Sequence, residues 1–221
     1  MIRARFLAIA LSGPLFWASS LDAGDLSKYR DFQLDSGLLE VAKQVGIEPA
    51  EAKVIHQRPA VIQEMSWRAE PMDSVEQILF TFHDGEVSRM VVDYNRFNTR
   101  GLTAEDLAGA ISEVYGPAAQ PSAEITLSSI YSSSEVVGVL ARWEDSDWSF
   151  NLVRSKYKPT FTLVALSKRL DAAAQAAAEE AVRLDRLEAP QKAMDRQRTE
   201  DEENRLQQEK ARLANRPEFR P

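Results

Sequence analysis

The chain has 221 residues, no cysteine and a formal net charge of −7. The missing cysteine excludes disulfides, a cysteine nucleophile and a lipid anchor on a cysteine, so we expect packing alone to hold the fold together. The acidic balance argues against a nucleic-acid partner, because phosphate binding requires clustered positive potential.

The first twenty residues have the pattern of a secretory signal peptide. Two arginines precede an apolar run of about 14 residues, and small residues follow it. A membrane-spanning helix needs about 20 consecutive apolar residues, whereas Gly13-Pro14 interrupts this run. The pattern predicts a signal peptide over 1–20, cleaved after Ser20 or Ala23. We therefore expect a soluble protein without a transmembrane segment, exported to the periplasm or secreted.

The composition of the chain changes near residue 168. Residues 24–167 contain 13 basic and 21 acidic residues and are rich in β-branched and aromatic types, whereas residues 168–221 contain 12 of each sign. The segment after Asp171 consists almost entirely of helix-forming residues. We therefore predict one α+β domain over 24–167 and a charged helical tail over 168–221, kinked at Pro190.

Small apolar residues recur along one face of the predicted tail helix: Leu170, Ala174, Ala177, Ala181 and Leu184. A stripe of this kind suits docking on the domain or weak self-association through residues 170–187, and both alternatives remain open. In residues 191–221 apolar positions are sparse, which favours a solvated charged helix.

Capping residues and hydrophobic periodicity predict the elements of the domain. The predicted helices cover residues 36–46, 48–57 and 103–115. The predicted strands cover residues 60–68, 75–82, 86–94, 125–131, 136–143, 148–154 and 160–166.

The sequence FHDGE at residues 82–86 contains one of the two histidines between two carboxylates. Asp-Gly between alternating strands is typical of a hairpin. A three-residue loop at 83–85 followed by a bulge puts Phe80 opposite Ser88 and collects the apolar side chains on one face: Ile78, Phe80, Phe82, Met90, Val92 and Tyr94. This register predicts His83 at an exposed hairpin tip, where it has neither a pocket nor converging ligands.

The remaining candidates also have structural interpretations. His56 is expected near the end of a short helix, in a capping or packing role. The acidic turn 144–147 is flanked by Trp143 and Trp148, which suggests a hairpin with a cross-strand tryptophan pair. If these indoles are exposed, they are candidate partner-binding anchors.

No sequence motif for a catalytic nucleophile, a metal site or a phosphate-binding loop occurs in the chain, so we expect no cofactor and no metal. Scattered carboxylates such as Glu105, Glu144 and Asp145 keep one alternative open, because the two acids of a glycosidase can be far apart in sequence. That alternative is a small exported hydrolase.

Two segments resemble a known helix-helix-sheet unit. Leu34-Asp35-Ser36 opens the first, with a helix ending at Val45-Gly46 and Pro49, three strands and the hairpin at 82–85. This segment is similar to the unit of beta-lactamase inhibitory proteins and of small-protein-A-type outer-membrane assembly lipoproteins.

A second, imperfect copy runs from Gly101-Leu102-Thr103 through Tyr115-Gly116-Pro117, so the repeats are expected over 30–97 and 101–167. The sequence departs from the pattern in having no lipid-anchoring cysteine and no second short helix before Pro121. The resemblance implies helices on one face of an antiparallel sheet and a non-catalytic binding role. The stretches VIHQRPAVIQE and GLTAEDL also resemble exported bacterial proteins. We therefore expect an exported protein-interaction or scaffold module of the bacterial cell envelope, with a protein partner.

Overall fold

The structure is a computed structural model that describes residues 24–129, 132–155, 160–217 and 220. The predicted signal peptide lies outside the described residues. The fold consists of an eight-stranded antiparallel sheet with helices packed on it, and the chain ends in one long C-terminal helix. The predicted α+β class is confirmed.

The elements of the first half are listed in chain order: β1 (Lys28–Tyr29), β2 (Phe32–Gln33), α1 (Leu38–Val45), a 3₁₀ turn (Pro49–Glu51), β3 (Lys53–His56), β4 (Ile62–Arg68), β5 (Val75–His83) and β6 (Glu86–Tyr94). The second half contains α2 (Ala104–Tyr115), β7 (Glu124–Ser129), β8 (Ser132–Glu144), β9 (Trp148–Arg154), β10 (Phe161–Ser167) and α3 (Lys168–Asn215). The strands lie in the order β3-β4-β5-β6-β10-β9-β8-β7. Each of the first two helices is thus followed by four strands, and the two sets meet where β6 pairs with β10.

The caps of the first two helices follow from their sequences. Gly46 closes α1 with φ of 69°, a left-handed conformation that suits glycine. At the start of α2, the Thr103 hydroxyl accepts a hydrogen bond from the Asp106 amide at 3.2 Å, and the Asp106 carboxylate accepts one from the Thr103 amide at 2.8 Å. The predicted helices over residues 36–46 and 103–115 are thus present. The N-cap of α1 is Gly37 rather than Ser36.

The predicted register of the β5–β6 hairpin is wrong. The turn has two residues, Asp84 and Gly85, both with positive φ, as a type I′ turn requires. A bulge at Ser88 then shifts the register, so Phe80 lies opposite Met90. Because this bulge restores the alternation, the predicted apolar face forms, and all its members are buried except Tyr94, which is partly buried.

The predicted helix over residues 48–57 is also wrong. Pro49 starts a single 3₁₀ turn, and the chain then forms edge strand β3, in which Lys53 lies opposite Glu64 of β4. Pairing along β4 provides backbone hydrogen bonds that the short helix would otherwise make internally.

One face of the sheet carries the main hydrophobic core. The β1–β2 hairpin, α1 and α2 all contribute buried side chains to it, including Phe32, Val41 and Leu107. These residues pack against large side chains of the central strands such as Phe80 and Phe150.

The opposite face of the sheet is covered by two further elements. The first part of α3 packs there through a stripe of small residues, with Ala174 and Ala177 against Ile62 of β4. The β7–β8 ribbon curls back over the same face, since Nη1 of Arg89 in β6 donates to the Thr126 carbonyl in β7 at 3.0 Å. Within residues 30–167, α1 and α2 thus lie on one face of the sheet, as expected, and the C-terminal helix α3 packs on the other face.

The Ala/Leu stripe of α3 is used within the chain. Its members Leu170, Ala174, Ala177 and Ala181 are buried against the domain. The structure therefore shows the docking alternative, with these four side chains covered by the domain. Self-association through residues 170–187 stays a prediction.

Beyond Glu188 the helix leaves the domain. Residues 189–217 are exposed throughout, and we call them the arm. The helix continues through Pro190, and the 27 arm residues up to Asn215 span about 40 Å at about 1.5 Å per residue. Within the described residues, no helix is both long enough and apolar enough to cross a membrane.

Candidate anion-binding groove

The two tryptophans proposed as partner anchors do not form an exposed pair. Trp143 is 2% exposed, and its indole nitrogen donates to the Gly116 carbonyl at 2.9 Å and to the Ser112 hydroxyl at 3.2 Å. Its cross-strand partner is Phe150, while Trp148 lies partly buried against the core. Trp143 is therefore a core residue, and both its predicted partner-binding role and the tryptophan pair are corrected.

The carboxylates of the hydrolase alternative lie in separate parts of the domain. Glu144 forms an ion pair with Lys168 at 2.9 Å. The Asp145 carboxylate accepts hydrogen bonds from the amides of residues 147 and 148 and so builds the β8–β9 turn. Glu105 is in the first turn of α2, while the other end of α2, at Gly116, touches Trp143 beside this hairpin. About 15 Å of helix separates the two ends, so these three acids do not converge.

The histidines also lack the surroundings of a reactive site. His83 is less exposed than predicted, with 16% of its side chain accessible, and its nearest carboxylate is its neighbour Asp84 at 3.8 Å. His56 lies on β3 opposite Ile62 instead of in a helix. Among the described residues, no group of three or more histidines, aspartates or glutamates is placed to hold a metal ion.

A solvent-open groove of about 460 Å³ lies at the other end of the sheet from these hairpin tips. It forms between the β6–α2 loop and the ends of β9 and β10. Its described lining residues include three arginines and two aromatic rings but no carboxylate: Arg96, Phe97, Thr99, Arg100, Gly101, Leu102, Arg154 and Phe161. We call it the arginine groove.

The sheet register brings the two walls of the groove together. Arg154, the last residue of β9, lies opposite Phe161 at the start of β10. The next residue of β10, Thr162, lies opposite Asp93 near the end of β6, and its hydroxyl donates to the Asp93 carboxylate at 2.8 Å. The loop that follows β6 therefore starts beside Arg154.

Local hydrogen bonds shape that loop. The Asn95 side chain accepts from the Phe97 amide at 2.9 Å, and the Asn95 carbonyl accepts from the Thr99 amide and hydroxyl at 3.1 and 3.0 Å. Gly101 then adopts φ of 84°, which favours glycine, before the cap of α2 begins. These turns hold Arg96 and Arg100 on a short, ordered segment.

The loop between β4 and β5 contacts the start of the β6–α2 loop. Arg30 binds both carboxylate oxygens of Asp73, at 2.8 and 2.9 Å, and holds the pKa of Asp73 at about 2. The next residue, Ser74, accepts a hydrogen bond from the Asn95 amide at 2.8 Å through its carbonyl. The Arg30–Asp73 pair therefore anchors the loop on which the arginine groove rests.

Two of the groove arginines lie over aromatic rings. The guanidinium carbon of Arg96 is 4.6 Å from the centre of the Phe97 ring, and that of Arg154 is 5.0 Å from the centre of Phe161. Such stacking restricts a guanidinium while leaving its N–H groups free to donate. Phe97 itself is 69% exposed, so the groove also offers apolar surface.

Among the described residues, the three groove arginines have no acidic partner, unlike three other arginines of the domain. Arg30, Arg58 and Arg89 each bind a carboxylate. In the part of the chain that the structure describes, Arg96 and Arg100 form no ion pair, and neither does Arg154. On a domain with an acidic excess, unpaired guanidinium groups at one place make a local site for an anion.

The amino-acid sequence gives only a weak indication of this site. Its local signal is Arg96-Phe97 and Arg100 within one glycine-containing loop after an apolar strand. Arg154 lies more than fifty positions later, and only the pairing of β6 with β10 brings it to the same groove.

No protein-family model matches the chain. No curated protein and no solved structure matches it either.

Proposed function

We propose that the protein is an exported, non-catalytic interaction module of the bacterial cell envelope, which binds an acidic segment of a partner protein in the arginine groove. One observation carries this proposal: three guanidinium groups and no carboxylate are found among the described residues that line the groove, on a domain with 13 basic and 21 acidic residues. Carboxylates are the natural ligands of such a site, because guanidinium binds them through two parallel hydrogen bonds.

The surrounding charge favours a protein segment over a nucleic acid or an anionic membrane. A long polyanion would extend beyond the groove onto the acidic surface of the domain, where it is repelled. A short peptide that carries a few carboxylates and an apolar residue fits the groove charge and the exposed Phe97 ring.

The export and cell-envelope parts of the proposal rest on the signal-peptide pattern of residues 1–20. The non-catalytic part is supported by the separation of Glu105 from Glu144 and Asp145. The resemblance to beta-lactamase inhibitory proteins and small-protein-A-type modules agrees with a binding role and stays a proposal.

A peptide titration of residues 24–221 tests the binding proposal. The probe is a glutamate-rich peptide with one leucine, and its control is the same peptide with glutamine at every glutamate. We expect binding of the acidic peptide alone, weakened about two- to fivefold by Arg100→Gln because an exposed ion pair is lost. The matched variant Arg198→Gln, in the arm, should leave the affinity unchanged.

Three outcomes would contradict the proposal. Equal binding of both peptides would exclude recognition of carboxylates. An unchanged affinity of the Arg100→Gln protein would place binding elsewhere. Tighter binding of a single-stranded oligonucleotide or of phosphatidylglycerol vesicles than of the peptide would replace the protein partner by that ligand.

A further inference from the structure

The arm of α3 carries the densest run of acidic residues in the described chain, Glu200-Asp201-Glu202-Glu203. In this run Glu202 forms an ion pair, at 4.0 Å with Arg205, and no ion pair links the other three to a described residue. The arm has no buried face along its whole length. An isolated helix of this kind gains little stability from packing, so it presents unsatisfied charge to a partner.

One face of the arm matches the arginine groove in chemistry. Residues 199, 202, 203 and 206 follow the i, i+3, i+4, i+7 spacing and therefore share a face. This face presents two carboxylates, Glu202 and Glu203, beside the exposed Leu206. The groove presents guanidinium groups beside the exposed Phe97 and Leu102.

The helix cannot bring this face to the groove of its own chain. Its last contact with the domain is the ion pair of Glu188 with Arg58, just after β3. Glu202 lies 14 residues further along, which is about 21 Å of helix whose residues are all exposed. The groove lies at the opposite end of the sheet, beyond the ends of β6 and β9, and the seven residues of β4 alone span about 20 Å at about 3.3 Å per strand residue.

We propose that the acidic face of the arm, formed by Glu202, Glu203 and Leu206, docks in the arginine groove of a second copy of this chain. The inference rests on the proposed function, since it names the acidic segment that the groove binds. The contact joins two different surfaces and is therefore heterologous, so that each copy donates its arm to another. A few exposed ion pairs and one leucine give a weak, salt-sensitive contact.

Sedimentation equilibrium of residues 24–221, from about 10 µM to about 1 mM protein, tests the inference. We expect reversible association that weakens at least about tenfold in the arm variant Glu202→Arg/Glu203→Arg and in the groove variant Arg96→Glu/Arg100→Glu. An equimolar mixture of the two variants should associate again, because the reversed charges are complementary. Asp201→Arg is the matched control, because residue 201 lies on the opposite face of the arm, and it should associate like the unmodified protein.

The outcomes separate this inference from the proposed function. If the protein stays monomeric at all concentrations yet binds the glutamate-rich peptide, a second copy is not the partner, and the proposed function is unaffected. Association that survives the Glu202→Arg/Glu203→Arg change also overturns it, since another surface then holds the copies together. Loss of peptide binding in the unmodified protein would contradict the proposed function itself.

Discussion

Arg89 of β6 and Asp171 of α3 form a buried two-point ion pair, with nitrogen to oxygen distances of 2.6 and 2.8 Å. Asp171 also accepts a hydrogen bond from Gln175 at 2.6 Å, and Arg89 donates to the carbonyl of Thr126 at 3.0 Å. A single pair thus joins the central sheet, the β7–β8 ribbon and the C-terminal helix.

Asp171→Asn should lower the free energy of unfolding by about 3–5 kcal/mol, because it leaves the Arg89 charge buried without its partner. Urea denaturation followed by circular dichroism measures this loss. Asp185→Asn, at an exposed ion pair of the same helix, should cost less than about 1 kcal/mol. Equal losses of unfolding free energy in Asp171→Asn and Asp185→Asn would contradict the role of the Arg89–Asp171 pair in holding α3 to the sheet. Replacing both charges, with Arg89→Met and Asp171→Leu, should recover most of the loss.

Truncation should separate α3 into two parts. Residues 24–189 should unfold within about 0.5 kcal/mol of residues 24–221, because the arm packs on nothing. Residues 24–167 should lose at least about 3 kcal/mol or fail to fold, since Arg89 loses its partner and the stripe of α3 no longer covers Ile62. Urea midpoints of the three proteins check this, and a stable 24–167 fragment would show that α3 is not part of the fold.

Trp143→Phe should cost about 1–3 kcal/mol, because the Gly116 carbonyl and the Ser112 hydroxyl lose their donor inside the core. Trp148→Phe should cost less, because Trp148 is only partly buried. Circular dichroism during urea unfolding compares the two variants. A larger loss of unfolding free energy in Trp148→Phe than in Trp143→Phe would contradict the structural role assigned to Trp143.

Low pH should weaken the ion pair between Arg30 and Asp73. Arg30 lowers the pKa of Asp73 from 3.8 to about 2. A lowered pKa in the folded state contributes stability that is present above about pH 4 and is lost as the pH falls towards 2. After allowance for the partial exposure of both groups, the contribution is about 1 kcal/mol. The stability difference between the unmodified protein and Asp73→Asn should therefore shrink between about pH 6 and about pH 3. A stability difference that does not change with pH would contradict a stabilising ion pair between Arg30 and Asp73.

The sequence predicted those elements whose signals are local. The two residues of the α2 capping box, Thr103 and Asp106, lie within four positions of each other, and the Asp-Gly turn lies between two alternating strands. β3 was mistaken for a helix because Pro49 suits a first helical turn, while pairing with β4 is a long-range effect. The bulge at Ser88 was not predicted in its place. A three-residue turn, or a two-residue turn followed by a bulge, collects the same apolar side chains of β5 and β6 on one face.

Function was harder to predict because the groove is assembled from distant segments. Trp143 was identified from an acidic turn that any hairpin tip can have, and the approach of α2 decides its burial. Arg96 and Arg154 share a groove only through the β6–β10 pairing.

A map of backbone amide shifts tests the central claim most directly. The glutamate-rich peptide is titrated into isotope-labelled residues 24–189, which lack the competing acidic run at residues 200–203 of the arm. We predict shifts confined to residues 96–102 and to the amides at 154 and 161, reversed when salt rises from about 0.1 M to about 1 M. Shifts centred on any other surface, or no shifts at all, would contradict the assignment of this groove as the binding site.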